Sequence, residues 1–267
     1  MLTLTNIKKT FGAGTVNEKT ALNGIDLHLD KGDFVTILGS NGAGKSTLFN
    51  TIAGTYLPDT GKITLDGRDI TKHPDYKRSK DIGRLFQDPL KGTAPNMTIE
   101  ENLALAYLRA SKHTVPLSRI SKAERELFRD RLALLKMGLE DRMKQPVGLL
   151  SGGQRQALTL LMATLVTPKL LLLDEHTAAL DPATAEVVLG LTKQIVAENG
   201  LTCLMITHNL QSALDLGNRT IMMAGGKILL DIAGQEREGL TPDDLLAKFR
   251  QQANKNLDND RILFSAI

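Results

Sequence analysis

The chain has 267 residues, enough for one or two compact domains with a full buried core. Hydrophobic residues make up 42% and charged residues 24%, which excludes a wholly disordered chain, and a net charge of +3 gives no reason to expect a nucleic-acid or membrane-surface protein. A single cysteine, Cys203, cannot close an internal disulfide, so a reducing compartment fits best.

The first residues lack a basic segment followed by an apolar run, so no signal peptide is expected. No stretch reaches the ~18 uninterrupted apolar residues of a membrane span. The greasiest region, 157–173, is split by Pro168-Lys169. Residues 2–35 read as β structure: Leu2-Thr3-Leu4 and Leu27-His28-Leu29 alternate, and Asp30-Lys31-Gly32-Asp33 supplies a turn. A buried strand, Phe34 to Leu38, then runs into Gly39-Ser40-Asn41-Gly42-Ala43-Gly44-Lys45-Ser46, followed by helical Thr47-Leu48-Phe49-Asn50. That octapeptide is a G-x-x-x-x-G-K-[ST] phosphate loop in strand–loop–helix context. Its glycines let backbone N–H groups converge on phosphate oxygens, and the following helix points its positive end at the same anion. Lys45 would reach the β- and γ-phosphates, and the Ser46 hydroxyl would ligate Mg²⁺.

Residues 62–70 read as a hairpin turning at Asp66-Gly67. From about 96 to 166 the pattern is helical. Thr98-Ile99-Glu100-Glu101 and Ser121-Lys122-Ala123-Glu124 have capping-box spacing. Phe128, Leu132 and Leu135 share one helix face, and Gly138 sits where that helix would stop. Leu170 to Leu173 is a strand ending in Asp174-Glu175. Adjacent strand residues point to opposite faces, so the two acids do different work. Asp174 suits Mg²⁺, and Glu175 suits polarising the water that attacks a γ-phosphate. A helix over 182–198, a strand from Leu201 to Ile206, a helix near 210–216 and a hairpin over 220–231 turning at Gly225-Gly226 follow. Thr241-Pro242-Asp243-Asp244 starts a last helix. The order of elements predicts an α/β protein: a parallel-sheet core, an antiparallel β subdomain beside it and an inserted helical subdomain at about 88–166. Residues 1–252 form a single domain, and 253–267 a polar tail expected to be flexible.

At Leu150-Ser151-Gly152-Gly153-Gln154 the chain resembles the signature of ATP-binding-cassette (ABC) ATPases. Other family elements follow the same order. Phe11 matches the aromatic that stacks on adenine, Gln87 the Q-loop glutamine, Asp181 of Ala179-Leu180-Asp181 the D-loop, and His208 the switch histidine. The resemblance spans about residues 1–235 and implies a P-loop NTPase fold that binds ATP with Mg²⁺ and hydrolyses the nucleotide. It places Phe11, residues 39 to 47, Ser151, Gly152, Gly153, Gln154 and Asp181 at ATP. Ser46, Gln87 and Asp174 would be at the metal, and Glu175, His208, Gln87 and Lys45 at the chemistry. Two copies would sandwich two ATPs head to tail, each signature helix serving its partner's nucleotide.

The family commonly has Pro after the glutamate, where this chain has His176. The stretch 174–181, with residues 92–98, resembles a bacterial uptake group, some of whose members sit beside binding proteins for aromatic amino acids. Between Lys45 and Ser151 there is room for one helical subdomain but not for long coiled-coil arms, and there is one phosphate loop. A stand-alone cassette of this kind fits an importer subunit, and the resemblance to that uptake group implies amino-acid import. Its partners would be integral membrane permease subunits and, indirectly, an extracytoplasmic substrate-binding protein, and it would work peripherally on the cytoplasmic side of the membrane. A soluble cassette driving assembly, such as the iron–sulfur scaffold relatives, and an exporter subunit are the alternatives. No nucleic-acid partner is expected.

Overall fold

The computed structural model describes residues 1–110 and 120–264, with backbone alone for residues 110 and 254–264. In chain order the elements are β1 (Leu2–Phe11), β2 (Lys19–Leu29), β3 (Phe34–Gly39), α1 (Lys45–Ala53), β4 (Thr60–Leu65), β5 (Arg68–Asp69), α2 (Asp75–Arg78), β6 (Ile82–Leu85), α3 (Ile99–Ala110), α4 (Lys122–Ala133), α5 (Gly152–Thr164), β7 (Leu170–Asp174), α6 (Pro182–Glu198), β8 (Thr202–Ile206), α7 (Leu210–Leu216), β9 (Arg219–Ala224), β10 (Lys227–Ala233) and α8 (Pro242–Phe264). They fall into two compact units, Met1–Asp75 with Leu204–Ile267, and Tyr76–Cys203.

In the first unit an antiparallel sheet runs β2-β1-β4-β5. Alternating side chains of β1 and β2, among them Leu2, Leu4, Leu27 and Leu29, are buried as their period predicts. Asp66 and Gly67 both take positive φ (48° and 73°), the geometry of a two-residue turn whose twist matches its flanking strands. The second sheet of this unit centres on β3. It pairs in parallel with β9, which pairs antiparallel with β10. Val35 to Leu38 are buried on both faces, the continuous burial that parallel strands show. Leu38, Ala213, Met222, Ile232 and Leu245 form a core closed by α7 and α8. Thr241 starts α8 as expected, its hydroxyl and N–H both donating to the Asp244 carboxylate (2.6 and 3.0 Å). The backbone of α8 stays helical to Phe264, through most of the polar segment set apart as a tail, and 265–267 lie outside the described residues.

In the second unit β6 and β7 pair in parallel, with Leu85 opposite Leu173. Here α3, α4 and α5 bury one cluster that includes Ile99, Leu103, Phe128, Leu132, Leu135 and Leu158. Both anticipated capping boxes form, at Thr98/Glu101 and Ser121/Glu124. Asn102 is buried and fully engaged: its amide donates to the Ala94, Met97 and Thr98 carbonyls and accepts from the Ala94 N–H. The helix expected to stop at Gly138 ends at Ala133 instead. Lys136 takes a left-handed φ of 54° first, and Gly138 (φ 66°) belongs to the turn beyond it.

Candidate functional site

Between the end of β3 at Gly39 and the start of α1 at Lys45, the loop folds over itself. The Ala43 N–H donates to the Ser40 carbonyl at 3.1 Å. The back of the loop is tied to the β9–β10 turn, where the Gly226 N–H donates to the Ala43 carbonyl (3.1 Å) and the Gly226 carbonyl accepts from the Asn23 N–H (2.9 Å). Gly42 and Gly44 have φ of 81° and 104°, which only glycine adopts without strain. A Cβ at Gly44 would lie 2.5 Å from the Ala21 carbonyl oxygen, so the loop packs there as backbone against backbone. Lys45 is only 5% exposed. Its ammonium donates to the Gly39 and Ser40 carbonyls at 2.8 and 3.1 Å, which holds the charge over the loop. Asn41 and Ser46 are exposed, Thr47 is half-buried, and Leu48, Phe49 and Ile52 anchor α1 in the core.

Phe11 ends β1 and stands edge-to-face with Tyr56, the ring centroids 5.2 Å apart. The Lys9 ammonium lies 5.7 Å from the same ring and is paired with Asp59 at 2.7 Å. Opposite Phe11 in the ladder is Lys19. Its Nζ comes within 3.7 Å of where a Gly42 side chain would begin. Sequence reasoning missed Lys19, because no motif marks it and its facing of Phe11 depends on register shifts along β1. His208 lies exposed between β8 and α7. The segment is fixed by the Thr207 N–H donating to the Ile37 carbonyl (3.2 Å) and by Asn209, which caps α7 through the Ser212 N–H (2.8 Å). Phe11, the phosphate loop and His208 thus all belong to the first unit.

In the second unit, Gln87 and Glu175 each emerge two residues beyond the paired Leu85 and Leu173, at the same end of two parallel strands. Asp174 is part-buried, its carboxylate 3.8 Å from the Arg84 guanidinium, which also lies 4.5 Å over the Phe86 ring. Arg84 was not foreseen as a neighbour of Asp174; a lone arginine in an otherwise apolar strand was the available signal. Glu175 has a left-handed φ of 47°, and its carbonyl accepts from the Ala178 N–H at 3.0 Å. His176 is buried, with its Nε2 3.0 Å from Thr192 Oγ1. Burial alone pulls its imidazole down to about 4, so it is neutral.

Ser151 caps α5. Its Oγ accepts from the Gln154 N–H (3.3 Å) and the Gln154 side chain accepts from the Ser151 N–H (3.2 Å). The helix opens at Gly152 as expected, and Gly152 is exposed. A Cβ on Gly153 would overlap the Thr184 methyl group, so the first turn of α5 meets the first turn of α6 closely. Asp181 caps α6 by accepting from the Thr184 N–H at 3.0 Å, and hydrogen bonds from Thr184 hold its carboxyl below the usual range. Its carboxylate therefore has a local duty beside the one read from the sequence. Cys203 is fully buried and desolvation drives its thiol pKa far up, which makes it inert.

A glycine-lined loop between a buried strand and a helix, and a buried strand ending in two acids, define a nucleotide-hydrolysing α/β fold. A family model described as ABC transporter matches residues 22–178, and the chain belongs to that family: it is the ATP-binding cassette of an ABC transporter, an ATPase. It is similar to a tyrosine transport ATP-binding protein of Clostridioides difficile, with 43% identity over 93% of this chain and 98% of that protein. A methionine import ATP-binding protein MetN of Streptococcus agalactiae is 35% identical over 91% of this chain and 68% of its own length. Among solved structures, the ADP conformation of the cassette MJ1267 has a TM-score of 0.77 at 28% identity, covering 94% of this chain and 98% of that one. A dimeric structure of the cassette MJ0796 has a TM-score of 0.76 at 27% identity, covering 90% of this chain and all of that one. Among the described residues no helix is long and apolar enough to cross a membrane.

Proposed function

We propose that this cassette energises import of an amino acid, of the aromatic class, through separate membrane permease subunits, by closing as a dimer around ATP. The phosphate loop carries the nucleotide half of this reading: Lys45 is poised over the Gly39 and Ser40 carbonyls of a loop whose Gly44 packs on the backbone of β2 too closely for a side chain. The transport half rests on similarity along nearly the whole chain to a tyrosine transport protein. In the cell the chain would sit on the cytoplasmic side of the membrane, with an extracytoplasmic binding protein choosing the cargo.

Residue by residue, Phe11 offers a π-face to adenine, and the N–H groups from Ser40 to Thr47 face the phosphates. Lys45 neutralises the β- and γ-phosphates, and Lys19 adds a second cation beside Gly42. The Ser46 hydroxyl, the Asp174 carboxylate and the Gln87 amide oxygen are hard oxygen donors, the set that fits Mg²⁺ shared with nucleotide phosphates. Bound there, Mg²⁺ would supply positive charge against the phosphates. Glu175 accepts a proton from the attacking water, and His208 hydrogen-bonds the γ-phosphate. Ser151, Gly152 and Gly153 open α5 toward the nucleotide of the second copy, and Asp181 lies at that junction. Phosphate release and ATP binding by the purified chain test this. Glu175→Gln should keep ATP binding and lose turnover, and Lys45→Ala should lose binding. Wild-type hydrolysis by the first variant, or unchanged affinity in the second, contradicts the assignment.

A further inference from the structure

The turn that carries Glu175 is held from behind by a side chain the reaction does not use. Glu175 sits at φ 47°, a left-handed conformation that a non-glycine residue keeps only when its surroundings enforce it. The next residue, His176, is 2% exposed and lies 3.0 Å through Nε2 from Thr192 Oγ1 in the middle of α6. Thr192 donates its one hydroxyl proton to the Val188 carbonyl at 2.8 Å. Its oxygen can therefore only accept from His176, which fixes the imidazole as the Nε2–H tautomer. On α6, Thr192 falls between Val188 and Val196 at i and i+4 spacing, all three buried, so this hydrogen bond sits on the packed face of the helix. Ahead of it, the Ala178 N–H closes a turn on the Glu175 carbonyl (3.0 Å), and Asp181 caps α6. The backbone between β7 and α6 is thus held by the turns that the Ala178 and Leu180 N–H groups close and by the Asp181 cap, while the His176 side chain, next to Glu175, ties it to the packed face of α6.

We propose that His176 and Thr192 form a positioning pair that holds the Glu175 backbone in its left-handed conformation, and so aims its carboxylate at the attacking water. The pair touches neither nucleotide nor water. The proposal rests on the role given to Glu175 above, and it goes beyond that role by naming what keeps the carboxylate in place. Loss of the hydrogen bond lets the turn relax toward commoner backbone angles, and a displacement near 1 Å at a reacting group costs on the order of a hundredfold in rate.

The test measures ATP affinity and saturated hydrolysis rate for His176→Ala, Thr192→Val and Thr192→Ser, with thermal melts to establish that each is folded at the assay temperature. Thr192→Val keeps the side-chain shape and removes the hydroxyl that accepts from His176 and donates to the Val188 carbonyl, so it serves if His176→Ala does not fold. His176→Ala and Thr192→Val should each lower kcat about tenfold or more while ATP affinity stays within about twofold, and Thr192→Ser should restore kcat. In a Glu175→Gln background, His176→Ala should cause no further loss, because no carboxylate remains to be aimed. Normal kcat in folded Thr192→Val, a loss of affinity parallel to the loss of kcat, or a further multiplicative loss on Glu175→Gln overturns the pair. If Glu175→Gln itself turns over ATP at the wild-type rate, the role of Glu175 fails first. Normal His176→Ala turnover beside an inactive Glu175→Gln overturns this proposal alone.

Discussion

Replacing Gly44 by alanine adds one methyl group at the point where the phosphate loop becomes α1. Two costs follow from the structure. The left-handed φ of 104° strains an L-residue by roughly 1–2 kcal/mol. The new Cβ would also lie 2.5 Å from the Ala21 carbonyl oxygen and 3.3 Å from Leu22 Cδ2. Because that oxygen belongs to backbone in β2, the loop must move by several tenths of an ångström. Together these put Gly44→Ala at about 2–4 kcal/mol of lost stability, toward the upper end for single substitutions. At ~2–4 °C per kcal/mol in a chain of this size class, melting should fall by about 4–16 °C. Displaced N–H groups should weaken ATP binding as well. Gly42→Ala is the internal control. Its φ of 81° carries the same kind of strain, but the nearest atom to a new Cβ is the flexible Lys19 Nζ at 3.7 Å. It should cost only about 1–2 kcal/mol. Differential scanning calorimetry of the two variants reads the difference directly. Equal melting shifts would refute the close packing of Gly44 on β2, and with it the account of why this loop is held open to phosphate.

Two further outcomes follow. Lys19→Gln should weaken ATP binding several-fold without changing melting. The effect should shrink as ionic strength rises, because the lysine is exposed and its field is screened within ~10 Å at 0.1 M salt; equilibrium titration at two salt concentrations checks it, and unchanged affinity at low salt would remove Lys19 from the site. Cys203 should resist alkylation at pH 8 in the folded protein and react once denaturant exposes it, since burial keeps its thiol protonated; mass spectrometry of iodoacetamide-treated protein decides, and rapid labelling of the native chain contradicts the buried strand.

Local signals that do not depend on long-range register were legible in the sequence. The capping boxes at Thr98 and Ser121, the helix start at Thr241, the Asp66-Gly67 turn and the start of α5 after Ser151 form where their local patterns indicated. Each is decided within four residues by backbone hydrogen bonding. The phosphate loop was legible for the same reason, since a contiguous motif carries its own geometry. Lys19 and Arg84 were not legible. The first gains meaning only through the β1–β2 register and the second only through β6 lying beside β7, and pairings between distant segments leave no mark in either segment alone. His176 stands out in the sequence as a departure from the family's usual proline. Its anchoring to Thr192, sixteen positions away, could not be read from composition or spacing. The end of α4 was misplaced because a lysine, not the nearby glycine, adopts the first left-handed conformation.

As proposed, two copies of this chain close on ATP. Sedimentation equilibrium of the Glu175→Gln chain, with and without ATP and Mg²⁺, tests it most directly. The account predicts a monomer without nucleotide and a dimer holding two ATP molecules with it, abolished when Ser151 is replaced by a bulky residue. A monomer that binds ATP with full affinity and never dimerises at any protein concentration reached would contradict it.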